Sequence, residues 1–218
     1  MTYKLVIFDF DGTLADSFPW FLSVMNQVAE ECGLRTIADH ELEELRHMSA
    51  RQIIKRQRVA PWKLPRAAMR LHELMAADAE QIRPFPGVAD LLDQLSDAGL
   101  RVALVTSNSE ANARLILGES ACTRIEHFDC GASVFGKASK FRKTMKRLGA
   151  TPAQTLCVGD ELRDLDAARK VRAAFGAVGW GYTHPDALQA GKPTHYFPTL
   201  DDLAQLLLPA GEGRRAQG

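Results

Sequence analysis

Little in this sequence points to a large or highly charged partner. Its 27 basic residues balance its 27 acidic ones, so no net field draws it to nucleic acid or to an anionic membrane. Aromatic residues are scarce, at 7%, and are not interleaved with basic clusters, which also argues against nucleic-acid binding. No apolar stretch approaches the length of a membrane span, and Met1-Thr2-Tyr3-Lys4 leads straight into a predicted strand rather than a signal peptide. Cys32, Cys122, Cys130 and Cys157 are scattered with no C-x-x-C pair, which excludes the usual zinc-knuckle spacing and leaves isolated core thiols. There is no internal repeat and no low-complexity block. These absences leave a soluble protein of the reducing cytoplasm with a small-molecule partner, its oligomeric state open.

What the chain does have is a series of short apolar runs separated by helical patterns. Leu5 to Phe8, Val102 to Val105, Leu156 to Val158 and Ala174 to Val178 read as strands, with weaker candidates at Phe128 to Ala132 and at His195 to Phe197. Continuous apolar strands alternating with helices predict an α/β fold with a doubly wound parallel sheet covered on both faces. The segment between the first two strands is too long for one crossover. Helices are predicted over 16–34, with Asp16 or Ser17 as cap and Phe21, Val24, Met25 and Val28 as the apolar face, then over Asp39 to Arg58 and Pro65 to Ile82. The expected organisation is therefore a core of residues 1–15 and 84–209, a helical insertion of residues 16–83, and a disordered tail over 210–218.

Three predicted strands end in polar residues. The first runs into Asp9 and Asp11 in "DFDGT", the second into Thr106, Ser107 and Asn108 in "VTSNS", and another into Asp160 and Asp164 in "VGDELRD". In a parallel sheet ligands bind outside the carboxyl ends of the strands, so these groups are expected to share one crevice. Acids at i and i+2 of a strand project to one side, and several carboxylates in one crevice need a cation. An all-oxygen site of Asp9, Asp11, Asp160 and Asp164 suits Mg²⁺. Gly12 permits a tight turn and Thr13 opens the following helix, where N–H groups face an anion. With Thr106, Ser107, Asn108 and Lys137 this makes a pocket suited to phosphate and to metal-assisted phosphoryl transfer.

These motifs, in this order, resemble those of the haloacid dehalogenase superfamily in its phosphatase branch. "DFDGT" is similar to the family's first motif, "LVTSNS" to the second, Lys137 in "FGKASK" to the third and "VGDELRD" to the fourth. The helical insertion stands where that family carries a small cap, and "RPFPGV" and "AFGAVGWGY" resemble phosphoglycolate-phosphatase-like members. The resemblance implies a Rossmann-like core and a Mg²⁺-dependent phosphatase acting on a small phosphorylated metabolite. Under it Asp9 is the nucleophile, Asp11 the acid and base, and Thr106 a donor to the phosphoryl oxygens. Lys137 neutralises charge near Asp9, while Asp160 binds the metal with Asp9 and the Asp11 carbonyl, supported by Asp164. Lys140, one helical turn on, is the alternative lysine. The chain departs from the pattern at Arg172, where a glycine is expected after the helix.

Dehalogenation needs neither Asp11 nor Asp160, and a compact receiver module has no room for the helical insertion. A phosphomutase of the same superfamily, or a non-catalytic phosphate-binding relative, remains an alternative. His40, His47 and His72 fall in the insertion as lone helix histidines. Arg46 and Arg51 read as a solvated helix face, or as partners for a substrate carboxylate if either faces the crevice.

Overall fold

A computed structural model describes residues 3–131 and 136–208. The tail expected to be disordered, 210–218, and Ala132 of the weak third strand lie outside them. Six strands, β1 (Leu5–Phe8), β2 (Arg101–Val105), β3 (His127–Asp129), β4 (Thr155–Gly159), β5 (Ala174–Val178) and β6 (His195–Phe197), form one sheet. All neighbours are parallel, in the order β3-β2-β1-β4-β5-β6. This is the order of a doubly wound sheet, whose crevice opens where the winding reverses, beside β1 and β4. In register, Phe8 stands between Leu104 and Val158.

The continuous apolar character of β1 follows from its position. All four of its residues are fully buried, because helices cover both faces of the sheet. Val6 and Phe8 face one core layer, which they share with Leu92, Leu95 and Leu203; Leu5 and Ile7 face the other, with Phe141, Met145 and Phe175. Each such fully buried aliphatic or aromatic side chain contributes about 1.5–3 kcal/mol of transfer free energy. That makes the strand ends a rigid base for a site.

The long segment between β1 and β2 holds α1 (Phe18–Glu31), α2 (Asp39–Arg46), α3 (Ala50–Arg56) and α4 (Leu64–Ala77). The single helix expected over Asp39 to Arg58 is two. Ser49 accepts from Gln52 N while Gln52 Oε1 accepts from Ser49 N at 2.8 Å, and this reciprocal cap starts a new helix after the break at His47 and Met48. The pattern read from Pro65 to Ile82 likewise stops at Ala77 and continues only as a turn over Ala79–Gln81. The two chain crossings into this segment lie side by side. Asp16 N donates to Arg83 O and Phe85 N to Leu14 O, each at 2.9 Å.

The remaining helices are α5 (Val88–Asp97), α6 (Glu110–Thr123, broken at Gly118), α7 (Lys137–Arg147), α8 (Leu162–Val171), α9 (Pro185–Ala190) and α10 (Leu200–Leu207). α5, α6 and α10 supply the layer containing Leu92, whereas α7, α8 and α9 supply that containing Phe141. Arg172 adopts the left-handed conformation itself, at φ 60° and ψ 29°, so the turn from α8 into β5 keeps the shape a glycine would give it. The described residues contain no helix long and apolar enough to cross a membrane. Their four cysteines are free thiols.

Candidate active site

β1 ends at Phe8, so strand alternation does not place Asp9 and Asp11; a turn does. Asp9 N donates to Val158 O at 2.9 Å, which fixes the residue between β1 and β4. The chain then folds back, with Phe10 O accepting from Leu14 N at 2.9 Å and Ala15 N at 3.0 Å. Gly12 sits in this turn at φ 70°, and a Cβ there would run into the Asp160 carboxylate. Thr13 does not open a helix, since α1 starts at Phe18; its hydroxyl donates to Asp160 Oδ1 at 2.9 Å.

Asp9, Asp160 and Asp164 meet below this turn. One carboxylate oxygen from each lies within 4.8 Å of those of the other two, and all three side chains are buried. Lys137, the first residue of α7, reaches them: its Nζ is 2.7 Å from Asp9 Oδ2 and 2.6 Å from Asp164 Oδ1. These are ion pairs by charge and distance. Lys137 is the partner of both oxygens, and among the described residues no other donor reaches Asp9 Oδ2 or Asp164 Oδ1. Asp160 is better satisfied, accepting from Thr13 and, at Oδ2, from Tyr182 N at 2.8 Å. Gly181 packs so closely on Asp160 that any side chain would collide with it.

The charges of the cluster do not balance. Burial raises the Asp9 pKa, but Lys137 and then Arg163 outweigh it and hold the carboxyl below its ordinary range. Burial, with Glu161, Asp9 and Asp164 nearby, pushes Asp160 well above that range. Burial likewise raises Asp164 to about 7 against the pull of Lys137. Lys137 itself is driven down by burial, yet Asp164 and Asp9 more than restore it. Three buried carboxylates set against a single lysine form a hard-oxygen donor set, which fits a divalent cation. A second trio, Glu43, His47 and His184, is largely exposed and mixes nitrogen with oxygen donors.

Asp11 is wired differently. Its carboxyl points away from the trio, accepting from Ser17 Oγ at 3.0 Å and from Asn108 Nδ2 at 3.0 and 3.2 Å. Its carboxyl is not part of the buried trio of Asp9, Asp160 and Asp164. Burial, and then the charge of Asp9, push its pKa up to about 6. Ser17, expected as the cap of α1, makes no side-chain cap; its hydroxyl is taken by Asp11 and by Tyr182 Oη at 2.9 Å.

Beyond β2, Thr106 is buried and its Oγ1 accepts from Asn108 N at 3.0 Å; Ser109, the next residue on, caps α6. Ser107 lines the crevice beside Asn108. Lys140 is engaged elsewhere. Its Nζ donates to the carbonyls of Thr106, Asp129 and Gly131 at 3.0–3.1 Å and pairs with the Asp129 carboxylate, so it ties the ends of β2 and β3 together.

Of the residues in the insertion, Arg46 lines the crevice, but its Nε donates to Tyr182 O at 3.0 Å and its guanidinium lies 5.1 Å from the Phe18 ring centre. Arg51 borders a smaller groove with Lys137 and Arg163. His47 stacks on His184 at 4.2 Å, and His72 lines the crevice. Three site residues escaped the sequence reading. Arg163, in "GDELRD", places a guanidinium whose charge acts on Asp9, Asp11 and Asp164, and Tyr182 and Ser17 close the wall over Asp11. Arg163 and Tyr182 fall inside quoted motifs, which was the available signal; Ser17 carried only a capping signal.

Comparison with known proteins agrees with this geometry. A family profile described as haloacid dehalogenase-like hydrolase matches residues 6–178. A phosphoglycolate phosphatase of Synechococcus elongatus is 34% identical, covering 93% of this chain and 96% of its own. An N-acetylmuramic acid 6-phosphate phosphatase of Pseudomonas aeruginosa is 26% identical, covering 90% and 88%. In structure, a haloacid dehalogenase-like hydrolase of Streptococcus pneumoniae superposes with a TM-score of 0.75 at 18% identity, covering 94% of this chain and 98% of its own. With the profile spanning every motif from Asp9 to Asp164, the chain belongs to the haloacid dehalogenase-like hydrolase family.

Proposed function

We propose that the protein is a Mg²⁺-dependent phosphatase that hydrolyses small phosphomonoesters through a phosphorylated aspartate. The observation that carries this is the unequal wiring of two carboxyls in one turn. Asp9 is held ionised by Lys137, as a nucleophile must be, while Asp11 is raised to about 6, where it can carry a proton. Neighbouring acids whose environments push their pKa values apart are the mark of divided nucleophile and acid roles.

In this reading an Asp9 oxygen attacks phosphorus, and the bond from phosphorus to the leaving oxygen breaks. Asp11 gives that oxygen its proton and the alcohol departs. Asp11 then takes a proton from water, whose oxygen attacks the phosphoaspartate, freeing phosphate and Asp9. Thr106 donates to the phosphoryl oxygens, and Lys137 keeps Asp9 anionic between turnovers. Gly12, Thr13, Ser107 and Asn108 shape the phosphate pocket. Asp9, Asp160, Asp164 and the Asp11 carbonyl would hold Mg²⁺, which supplies positive charge against the phosphoryl oxygens.

Residues 16–83 act as a lid, hinged on the paired crossings at Asp16 and Arg83, that excludes water from the phosphoaspartate. A lid of this size favours small, freely diffusing esters. The relatives' names make 2-phosphoglycolate the first ester to assay. Free cysteines suit a reducing compartment.

The test is phosphate release from 2-phosphoglycolate and p-nitrophenyl phosphate with Mg²⁺, by the wild type and by Asp9→Asn. The variant should fold normally and lose more than about 10³-fold in turnover. Near-wild-type turnover by Asp9→Asn would falsify the covalent reading.

A further inference from the structure

A cavity of about 360 Å³ runs from the acid turn into the insertion. That lies within the range of small-molecule sites, and it is continuous with the proposed chemistry, since Asp11, Asn108 and Arg163 stand at its polar end. Its far wall is apolar and comes from every helix of the insertion. Phe21 and Met25 of α1, Leu45 of α2, Ile53 of α3 and Leu71 of α4 all line it.

The two arginines that line the cavity make contacts within the protein. Arg46 donates to the main-chain carbonyls of Tyr182 and Gly181. Arg163, at the polar end, pairs through NH2 with Glu161 Oε1 at 2.5 Å, while its buried Nε has no hydrogen-bond partner. Burial holds the His72 pKa below its ordinary value, against a hydrogen bond with the Ser107 backbone. The deep part of the cavity therefore offers apolar surface and no dedicated cation. A glycolate leaving group would fill only the mouth.

We infer that the same site also hydrolyses monoesters whose leaving group carries an apolar body, a medium-length alkyl chain, housed among α1 to α4. This rests on the phosphatase reading and extends it to a second substrate class. The step is unchanged: the ester P–O bond breaks and the alcohol leaves with the proton of Asp11. What differs is binding, because each methylene drawn from water into the cavity adds about fourfold in affinity.

The experiment is a series of n-alkyl phosphates from ethyl to decyl, assayed beside 2-phosphoglycolate with Mg²⁺. Values of kcat/KM should climb about fourfold per methylene until the cavity is full, then level off. Unhydrolysed n-alkylphosphonates should tighten in parallel as inhibitors. Ala68 of α4 lines the cavity, and Ala68→Phe should shorten the climb, lowering the ratio of octyl to ethyl phosphate. A flat series in an enzyme that cleaves ethyl phosphate and 2-phosphoglycolate overturns this inference and leaves the phosphatase reading intact. An undiminished climb in Ala68→Phe likewise overturns it. No cleavage of any ester overturns both.

Discussion

As the proposed acid, Asp11 would be useful only where the leaving oxygen needs a proton, so its contribution should depend on the ester. Replacing it with Asn should lower the rate on an alkyl phosphate by roughly 10²–10⁴, the span of an acid/base group. The loss should be far smaller on p-nitrophenyl phosphate, whose phenolate leaves without help. Equal losses on both esters would mean that Asp11 is not the acid. The two lysines separate in the same manner. Lys137→Met removes the only ammonium beside Asp9 and Asp164 among the described residues and should collapse turnover. Lys140→Met removes three carbonyl contacts at the ends of β2 and β3 and should show first as lost stability, by about 1–3 kcal/mol in denaturant unfolding. If Lys140→Met abolishes activity at unchanged stability while Lys137→Met is active, the assignments are reversed. Asp9 and Asp160 could be grouped from sequence because each directly follows an apolar run that ends at the same sheet edge. Ser17 and Tyr182 could not, since they meet across 165 residues of chain and nothing local marks that contact.

At the level of elements, the buried strands were readable because parallel pairing leaves them no polar face. The insertion was readable as helix but not in its breaks. Apolar spacing continues through Met48, and only the reciprocal bonds of Ser49 and Gln52 divide α2 from α3. The turn after α8 teaches the converse. Arginine replaces the expected glycine, yet the backbone takes the left-handed conformation at φ 60° because the hydrogen bonds from Arg172 N to Arg169 O and from Ala173 N to Ala168 O require it. A non-glycine residue there costs about 1–2 kcal/mol, partly offset by glycine's greater loss of freedom on folding. Arg172→Gly should therefore stabilise the protein by roughly 0.5–1 kcal/mol. A rise of about 1–4 °C in Tm would show it. A fall in Tm would mean that the arginine side chain contributes more than the strain removes.

For the whole molecule, the three buried carboxylates are held by parts of the chain far apart in sequence: Asp9 after β1, Asp160 after β4 and Asp164 in α8. Folding forces them together, so their repulsion opposes the native state, and Lys137 answers only part of it. The unfolded chain has no such cluster. A cation that binds only the folded form must then stabilise the entire domain, by about 2.7 kcal/mol at one hundred times its Kd. For a chain of this size that corresponds to roughly 5–10 °C in Tm. Thermal unfolding in Mg²⁺ and in a chelator, with no substrate present, should show that gap. Asp160→Asn should lose most of the Mg²⁺-dependent shift, and its curve in chelator should match or exceed that of the wild type, because one repelling charge has gone. Coincident wild-type curves in Mg²⁺ and chelator would sink the metal assignment whatever the activity assays show.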